Sequence, residues 1–207
     1  MMRFFNNKPE YRQNYKFDRK NKILKREVIP GKPIIFNSNS LKKLAMTLVK
    51  LHQMKLNKFG RIGIKESTRK SGDFRGAIFY YTELLSNEIL KKGDNNTKYL
   101  KILNQIKTKV NFINSFKNNE FSLIHRDLHR GNILIDKQGA IKLIDWGSAT
   151  VWDPALDLAL LFEKGRLSKY QRELFLKEYI SLTPDKEIYD RVKLYLPLVK
   201  IADRVFN

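Results

Sequence analysis

Two stretches decide the reading: Leu123-Ile124-His125-Arg126-Asp127-Leu128-His129-Arg130-Gly131-Asn132-Ile133-Leu134-Ile135-Asp136 and, after the turn Lys137-Gln138-Gly139, Ile141-Lys142-Leu143-Ile144-Asp145-Trp146-Gly147. The short apolar runs on either side of that turn predict a small β-hairpin. Asp127 and Asn132 stand five apart in the loop before it, and Asp145 lies thirteen beyond Asn132 at its far end. The hairpin returns the chain, so these polar side chains can converge. A carboxylate and a carboxamide are hard oxygen ligands suited to magnesium, and a further carboxylate can orient an attacking hydroxyl and accept its proton. Phosphoryl transfer needs that combination, because its transition state calls for positioning and charge neutralisation more than covalent help.

These residues resemble the catalytic and metal-binding loops of the protein-kinase-like fold, and within it the aminoglycoside phosphotransferase and choline kinase group. The shared pattern is H-x-D-L-H-x-G-N-I-L, then I-D-W, then D-P-x-x-D-L-A, here Asp153-Pro154-Ala155-Leu156-Asp157-Leu158-Ala159. Protein kinases more often carry D-F-G after the hairpin and a lysine two places after the catalytic aspartate. This chain has Trp146 and His129 there, although Arg126 is the arginine usual in that group. The resemblance implies that Asp127 is the catalytic carboxylate and that Asn132 and Asp145 hold magnesium ions. It also implies that Asp157, opening a helix, braces the loop through backbone amides and that His125 is the loop's structural histidine. More weakly it covers Leu48–Gly63 and Glu27-Val28-Ile29-Pro30-Gly31. The latter looks like the hinge behind the adenine, which makes Glu27, Val28 and Ile29 nucleotide-binding positions. The implied cofactors are Mg2+ and ATP or another nucleoside triphosphate, and the implied reaction moves the γ-phosphate to a hydroxyl of a small molecule. His129 has no assigned chemistry, and packing or a hydrogen bond within the loop is preferred to metal ligation. Trp146 and Trp152 read as core or wall residues rather than a cation cage.

Working outward, the patterning predicts an α+β chain, mainly helical with one short hairpin, which the resemblance implies is a kinase-like large lobe. Lys22 to Ile29 alternates as a strand stopped by Pro30-Gly31, whereas Met1 to about Lys20 has no sustained periodicity. Ser38 or Ser40 can cap a helix whose stripe is Leu41, Leu44, Ala45, Leu48, Leu51 and His52. Asn57 to Asp73 reads as a loop. Further helices are expected over Phe74–Lys92, ended by Gly93, and over Thr97–Phe116. Others are expected near Pro154–Phe162, Ser168–Ser181 and Pro184–Val205.

Composition narrows the function classes. The 207 residues are 42% hydrophobic and 30% charged, which suits one folded core and excludes disorder throughout. The absence of cysteine excludes a disulfide framework and a thiolate metal site. No apolar run approaches the roughly 18 residues of a membrane helix, and the N-terminal residues lack the continuous apolar stretch of a signal peptide. The chain therefore reads as soluble and cytoplasmic. Lys and Arg total 41 against 21 Asp and Glu, a formal charge of +20. Residues 1–70 hold 19 basic and 4 acidic side chains, whereas residues 121–163 hold 4 basic and 6 acidic ones. The aromatic-laced basic segment Arg3 to Arg26 could track a nucleic acid, but a solvated surface in a chain rich in Asn, Ile and Lys is the preferred reading. The acidic island suits a cationic acceptor, aided by Glu163, Glu173, Glu178 or Asp190.

If Glu27 to Gly31 is the hinge, residues 1–26 form a basic arm or the remnant of a small lobe, and residues 27–207 form the large lobe. No glycine precedes Gly31, so no glycine-rich phosphate loop precedes the hinge in these residues. A partner chain supplying the small lobe is one expectation. The alternative function is a non-catalytic kinase-like lobe that binds a partner protein or a polyanion.

Overall fold

The computed structural model describes residues 15–18, 23–26, 29–62, 72–92, 97–112 and 120–206. Glu27 and Val28, expected in the hinge, and Gly93, expected to stop a helix, lie outside the described residues. The expected α+β class holds: helices carry most of the described chain, and small antiparallel sheets frame the loop 125–132.

Strands β1 (Tyr15–Asp18) and β2 (Ile23–Arg26) pair as a hairpin with Tyr15 opposite Arg26. The second strand falls inside the expected one. The first was hidden, because four residues are too few to display alternation. Strand β3 (Lys32–Pro33) opens a second sheet whose order is β3-β7-β8, with β7 at Ile133–Ile135 and β8 at Ile141–Leu143. A Cβ on Gly31 would come within 2.9 Å of the Leu134 Cβ, so glycine there lets the segment after Ile29 lie against β7. The third sheet has the order β4-β6-β9-β5, from β4 (Lys55–Leu56), β5 (Gly60–Arg61), β6 (Phe121–Ile124) and β9 (Thr150–Trp152). β5 falls inside the stretch expected to be loop.

The predicted hairpin forms with Ile133 opposite Leu143 and Ile135 opposite Ile141. Its turn is closed by Asp136, whose Oδ1 accepts the amides of Gln138 at 3.0 Å and Ala140 at 2.8 Å. Gly139 supplies the left-handed φ of 76° that the turn needs.

Helix α1 (Ser38–His52) is capped by Asn37, not by Ser38 or Ser40. Asn37 Oδ1 accepts the Ser40 amide at 2.9 Å and Ser40 Oγ accepts the Asn37 amide at 3.0 Å, a reciprocal capping box. The predicted stripe is buried and packs on α5 (Lys169–Leu182). Helices α2 (Phe74–Lys91) and α3 (Thr97–Val110) follow, the latter ending short of Phe116. Helix α4 (Pro154–Lys164) is buried from Pro154 to Phe162, as a helix apolar on all sides must be. It packs on α6 (Ile188–Phe206), which begins after Pro184 rather than at it.

A buried cation joins α6 to the start of α4. Arg191 is fully buried; its Nε donates to Asp153 Oδ2 at 3.0 Å, its Nη2 pairs with Asp185, and its guanidinium lies 4.6 Å from the Phe74 ring centroid. The flanking carboxylates hold the guanidinium charged against the cost of burial. No helix among the described residues is long and apolar enough to cross a membrane.

Candidate active site

Strand β6 delivers the chain into the loop 125–132, the hairpin carries it away and back, and β9 leaves beside β6. The two ends of the hairpin are stitched together where the expected ligands sit. The Ile144 amide donates to Asn132 O at 3.0 Å, and Ile144 O accepts His125 Nε2 at 2.8 Å. The sequence prediction that Asp127, Asn132 and Asp145 share one neighbourhood thus has a backbone basis.

Asp157 braces the loop. Its Oδ2 accepts the His125 amide at 2.8 Å and its Oδ1 accepts the Arg126 amide at 2.7 Å. Behind it, His52 Nε2 donates to Asp157 Oδ2 at 3.2 Å, and the Tyr179 hydroxyl donates to His52 Nδ1 at 2.7 Å. Burial pushes the Tyr179 hydroxyl well above its ordinary range, so it keeps the proton it donates. His125 is buried and lies against Trp146, with ring centroids 4.6 Å apart. Burial holds its pKa below the ordinary histidine value, despite Asp157 nearby. Its Nδ1 accepts the Asp127 amide at 3.3 Å, which agrees with a neutral ring carrying its proton on Nε2. Trp146 and Trp152 are both buried, as a core or wall role requires.

Asp127 is held at both oxygens. Asn132 Nδ2 donates to Asp127 Oδ2 at 3.0 Å and to Asp127 O at 2.9 Å, and Lys164 Nζ donates to Asp127 Oδ1 at 2.8 Å. Partial burial pushes the Asp127 carboxyl up, but the Lys164 ammonium outweighs it, with smaller help from His129 and His125. The net result is a carboxyl below its usual range, ionised at neutral pH. His129 stays within the loop: its Nδ1 accepts the Gly131 amide at 3.0 Å and its Nε2 lies 3.7 Å from Asp127 Oδ2.

The donor set suits magnesium. Asn132 spends its amide N–H groups on Asp127, which leaves its carbonyl oxygen as the available ligand atom. Asp145 is exposed at a left-handed backbone, φ 61°, and makes no capping hydrogen bond with its side chain. Mg2+ takes few protein oxygens and completes its shell with water and phosphate, so one carboxamide and one carboxylate fit it.

Two cavities flank Asp127. One of about 860 Å³ reaches from Phe36 to His129 and Lys164. One of about 380 Å³ holds Asp127 itself, with Tyr81, Arg126 and Phe206. Lys164, Val199 and Asp203 line both, so Lys164 stands between them. Neither Lys164 nor the His52–Tyr179 pair was singled out for this site from the sequence. Of the expected nucleotide positions only Ile29 is described, and it is half-buried just ahead of the Gly31 contact with β7.

The fold and this loop constellation are those of the kinase-like phosphotransferases. Residues 36–195 match the phosphotransferase enzyme family, and the chain belongs to it. Among solved structures it resembles the choline kinase LicA from Streptococcus pneumoniae, with TM-score 0.69 and 20% identity over 99% of this chain and 68% of that one. It also resembles an ethanolamine kinase from Plasmodium vivax, with TM-score 0.64 and 18% identity over 99% of this chain and 62% of that one. An ADP-bound aminoglycoside phosphotransferase, APH(2'')-Ib, aligns with TM-score 0.66 and 14% identity over 99% of this chain and 72% of that one. In sequence, 68 residues are 35% identical to the serine/threonine-protein kinase SULU of Caenorhabditis elegans, a stretch that is 33% of this chain and 6% of that kinase.

Proposed function

We propose that the chain is a magnesium-dependent phosphotransferase that moves the γ-phosphoryl group of ATP to a hydroxyl of a small molecule. The observation that carries this reading is the clamp on Asp127: a carboxylate fixed by Asn132, kept ionised, and lining a cavity of about 380 Å³. The acceptor hydroxyl would displace Lys164 Nζ from Asp127 Oδ1, and its proton would pass to that oxygen. The hydroxyl oxygen then bonds to the γ-phosphorus as the bond from that phosphorus to the ADP oxygen breaks. Asn132 Oδ1 and the Asp145 carboxylate are the residues that would hold magnesium, whose charge, when bound, neutralises the phosphate oxygens. Asp157 and His125 act through the backbone, fixing where Asp127 points. Ile29, with Glu27 and Val28, is the segment we assign to the adenine. Support for nucleotide use comes from relatives such as LicA, solved with AMP. ATP as donor assigns the reaction to the cytoplasm.

The test is calorimetric titration of the full-length chain with ATP, with and without magnesium. Binding that requires magnesium and is lost in Asp145→Asn is expected. Equal binding by that variant would remove Asp145 from the metal site.

A further inference from the structure

Three of the four helix carboxylates that favoured a cationic acceptor in the sequence, Glu163, Glu173 and Asp190, are paired with cations. Glu163 accepts Arg172 Nη1 at 3.2 Å and lies 3.8 Å from Lys200 Nζ, Glu173 pairs with Lys169, and Asp190 pairs with Lys193. Among the described residues, the 860 Å³ cavity is instead lined by the four cations Arg130, Lys164, Arg166 and Lys200 against the two carboxylates Glu163 and Asp203.

Arg166 is the informative member. Helix α4 ends in a Schellman arrangement, with the Leu167 amide on Phe162 O at 3.2 Å and the Arg166 amide on Glu163 O at 3.1 Å. Glycine ordinarily takes the left-handed position in that motif. Here Arg166 takes it, at φ 53°. The other non-glycine residues with positive φ among those described are Arg126 and Asp145, both in the catalytic constellation. Helix capping does not explain the arginine, because Arg172 already donates to Phe162 O at 3.0 Å and to Leu167 O at 2.8 Å. The exposed Arg166 side chain makes no hydrogen bond or ion pair with a described residue. Among the described residues Arg130 spends only Nε, on Ile34 O at 3.2 Å, which leaves its terminal nitrogens for a ligand.

We infer that the acceptor carries an anionic group, a phosphate or a carboxylate, which Arg166 and Arg130 receive at this cavity while the hydroxyl lies toward Asp127. This deepens the phosphotransferase reading and rests on it. A planar guanidinium takes either anion through paired hydrogen bonds, and Lys200 adds charge at the rim. The same groups could in principle meet the triphosphate of the nucleotide, so the experiment separates the two sources.

The full-length chain is titrated, without nucleotide, with matched alcohols: glycerol against glycerol 3-phosphate, and glucose against glucose 6-phosphate and gluconate, with choline as the cationic case. The phosphorylated or carboxylated member should bind about tenfold tighter or more, a typical yield of one charge-assisted pair. Arg166→Gly relieves the left-handed backbone, so it should raise Tm while abolishing the anion preference and leaving the affinity for ATP with magnesium unchanged. Lys169→Ala, which removes an exposed cation on α5, should preserve the preference. Equal or tighter binding of the neutral or cationic member overturns the proposal, as does absence of binding by every anionic probe. So does an Arg166→Gly chain that loses ATP instead, or an equal loss in Lys169→Ala, which would trace the preference to the general positive field. Anion-selective binding lost only in Arg166→Gly upholds the subsite even if no acceptor is phosphorylated, and that failure would count against the reaction alone.

Discussion

Lys164, the last residue of α4, places its ammonium 2.8 Å from Oδ1 of Asp127, the oxygen we assign to the acceptor hydroxyl. The pairing holds the carboxyl below its ordinary range against the opposing effect of burial. Removing the ammonium in Lys164→Met lets burial dominate, so the carboxyl gains its proton at higher pH. The acid limb of the pH profile of kcat/KM should move upward in Lys164→Met and stay in place in Lys164→Arg. An unmoved limb in Lys164→Met would show that Lys164 does not govern Asp127.

The brace behind the loop should be costly to remove. Asp157→Ala strands the buried amide of His125, at about 1–3 kcal/mol for an unsatisfied group, and also removes the acceptor of the part-buried Arg126 amide. Urea denaturation should show that loss. In Tyr179→Phe only His52 Nδ1 is stranded, so a smaller loss, about 1–3 kcal/mol, is expected. A Tyr179→Phe chain as stable as the wild type would mean that the hydroxyl does not hold His52.

His125 makes stability depend on pH with a definite sign. Burial lowers its folded pKa from the ordinary 6.5, so below that value the unfolded chain binds a proton that the folded one resists. Its contribution is therefore complete above pH 6.5, falls as the pH drops through 6.5, and levels off below the lowered folded value. Between pH 7 and 5 the wild type should lose stability more steeply than His125→Gln, measured by urea midpoints at each pH. Parallel curves would contradict a buried neutral ring.

Arg191 carries the buried ion pair with Asp153 that joins α6 to the start of α4. Arg191→Met leaves Asp153 buried without its cation, and such a broken pair costs about 3–5 kcal/mol. A thermal melt near that of the wild type would contradict this.

What the sequence revealed follows from how local each signal is. The hairpin, its Asp136 turn and the spacing of Asp127, Asn132 and Asp145 are contiguous in the chain, so they could be read directly. The α1 stripe was legible because a helix repeats its apolar face over several turns. Strands β6 and β9 were not recognised, since a fully buried run of three or four residues carries no period. Lys164 meets Asp127 across 37 residues, Tyr179 meets His52 across 127, and Arg191 meets Asp153 across 38. No spacing rule reaches that far. Arg166 leaves a local trace only in retrospect: Gly165-Arg166 puts the arginine where the left-handed glycine of a helix end is ordinarily found.

The central claim is phosphoryl transfer with Asp127 as the carboxylate that takes the hydroxyl proton. The most direct measurement follows labelled γ-phosphate from ATP into a panel of hydroxyl acceptors, comparing the full-length wild-type chain with Asp127→Ala. Transfer by the wild type that falls about 10²–10⁴-fold in Asp127→Ala, with ATP binding retained, is the predicted result. Equal transfer by both proteins, or none by the wild type, would contradict it.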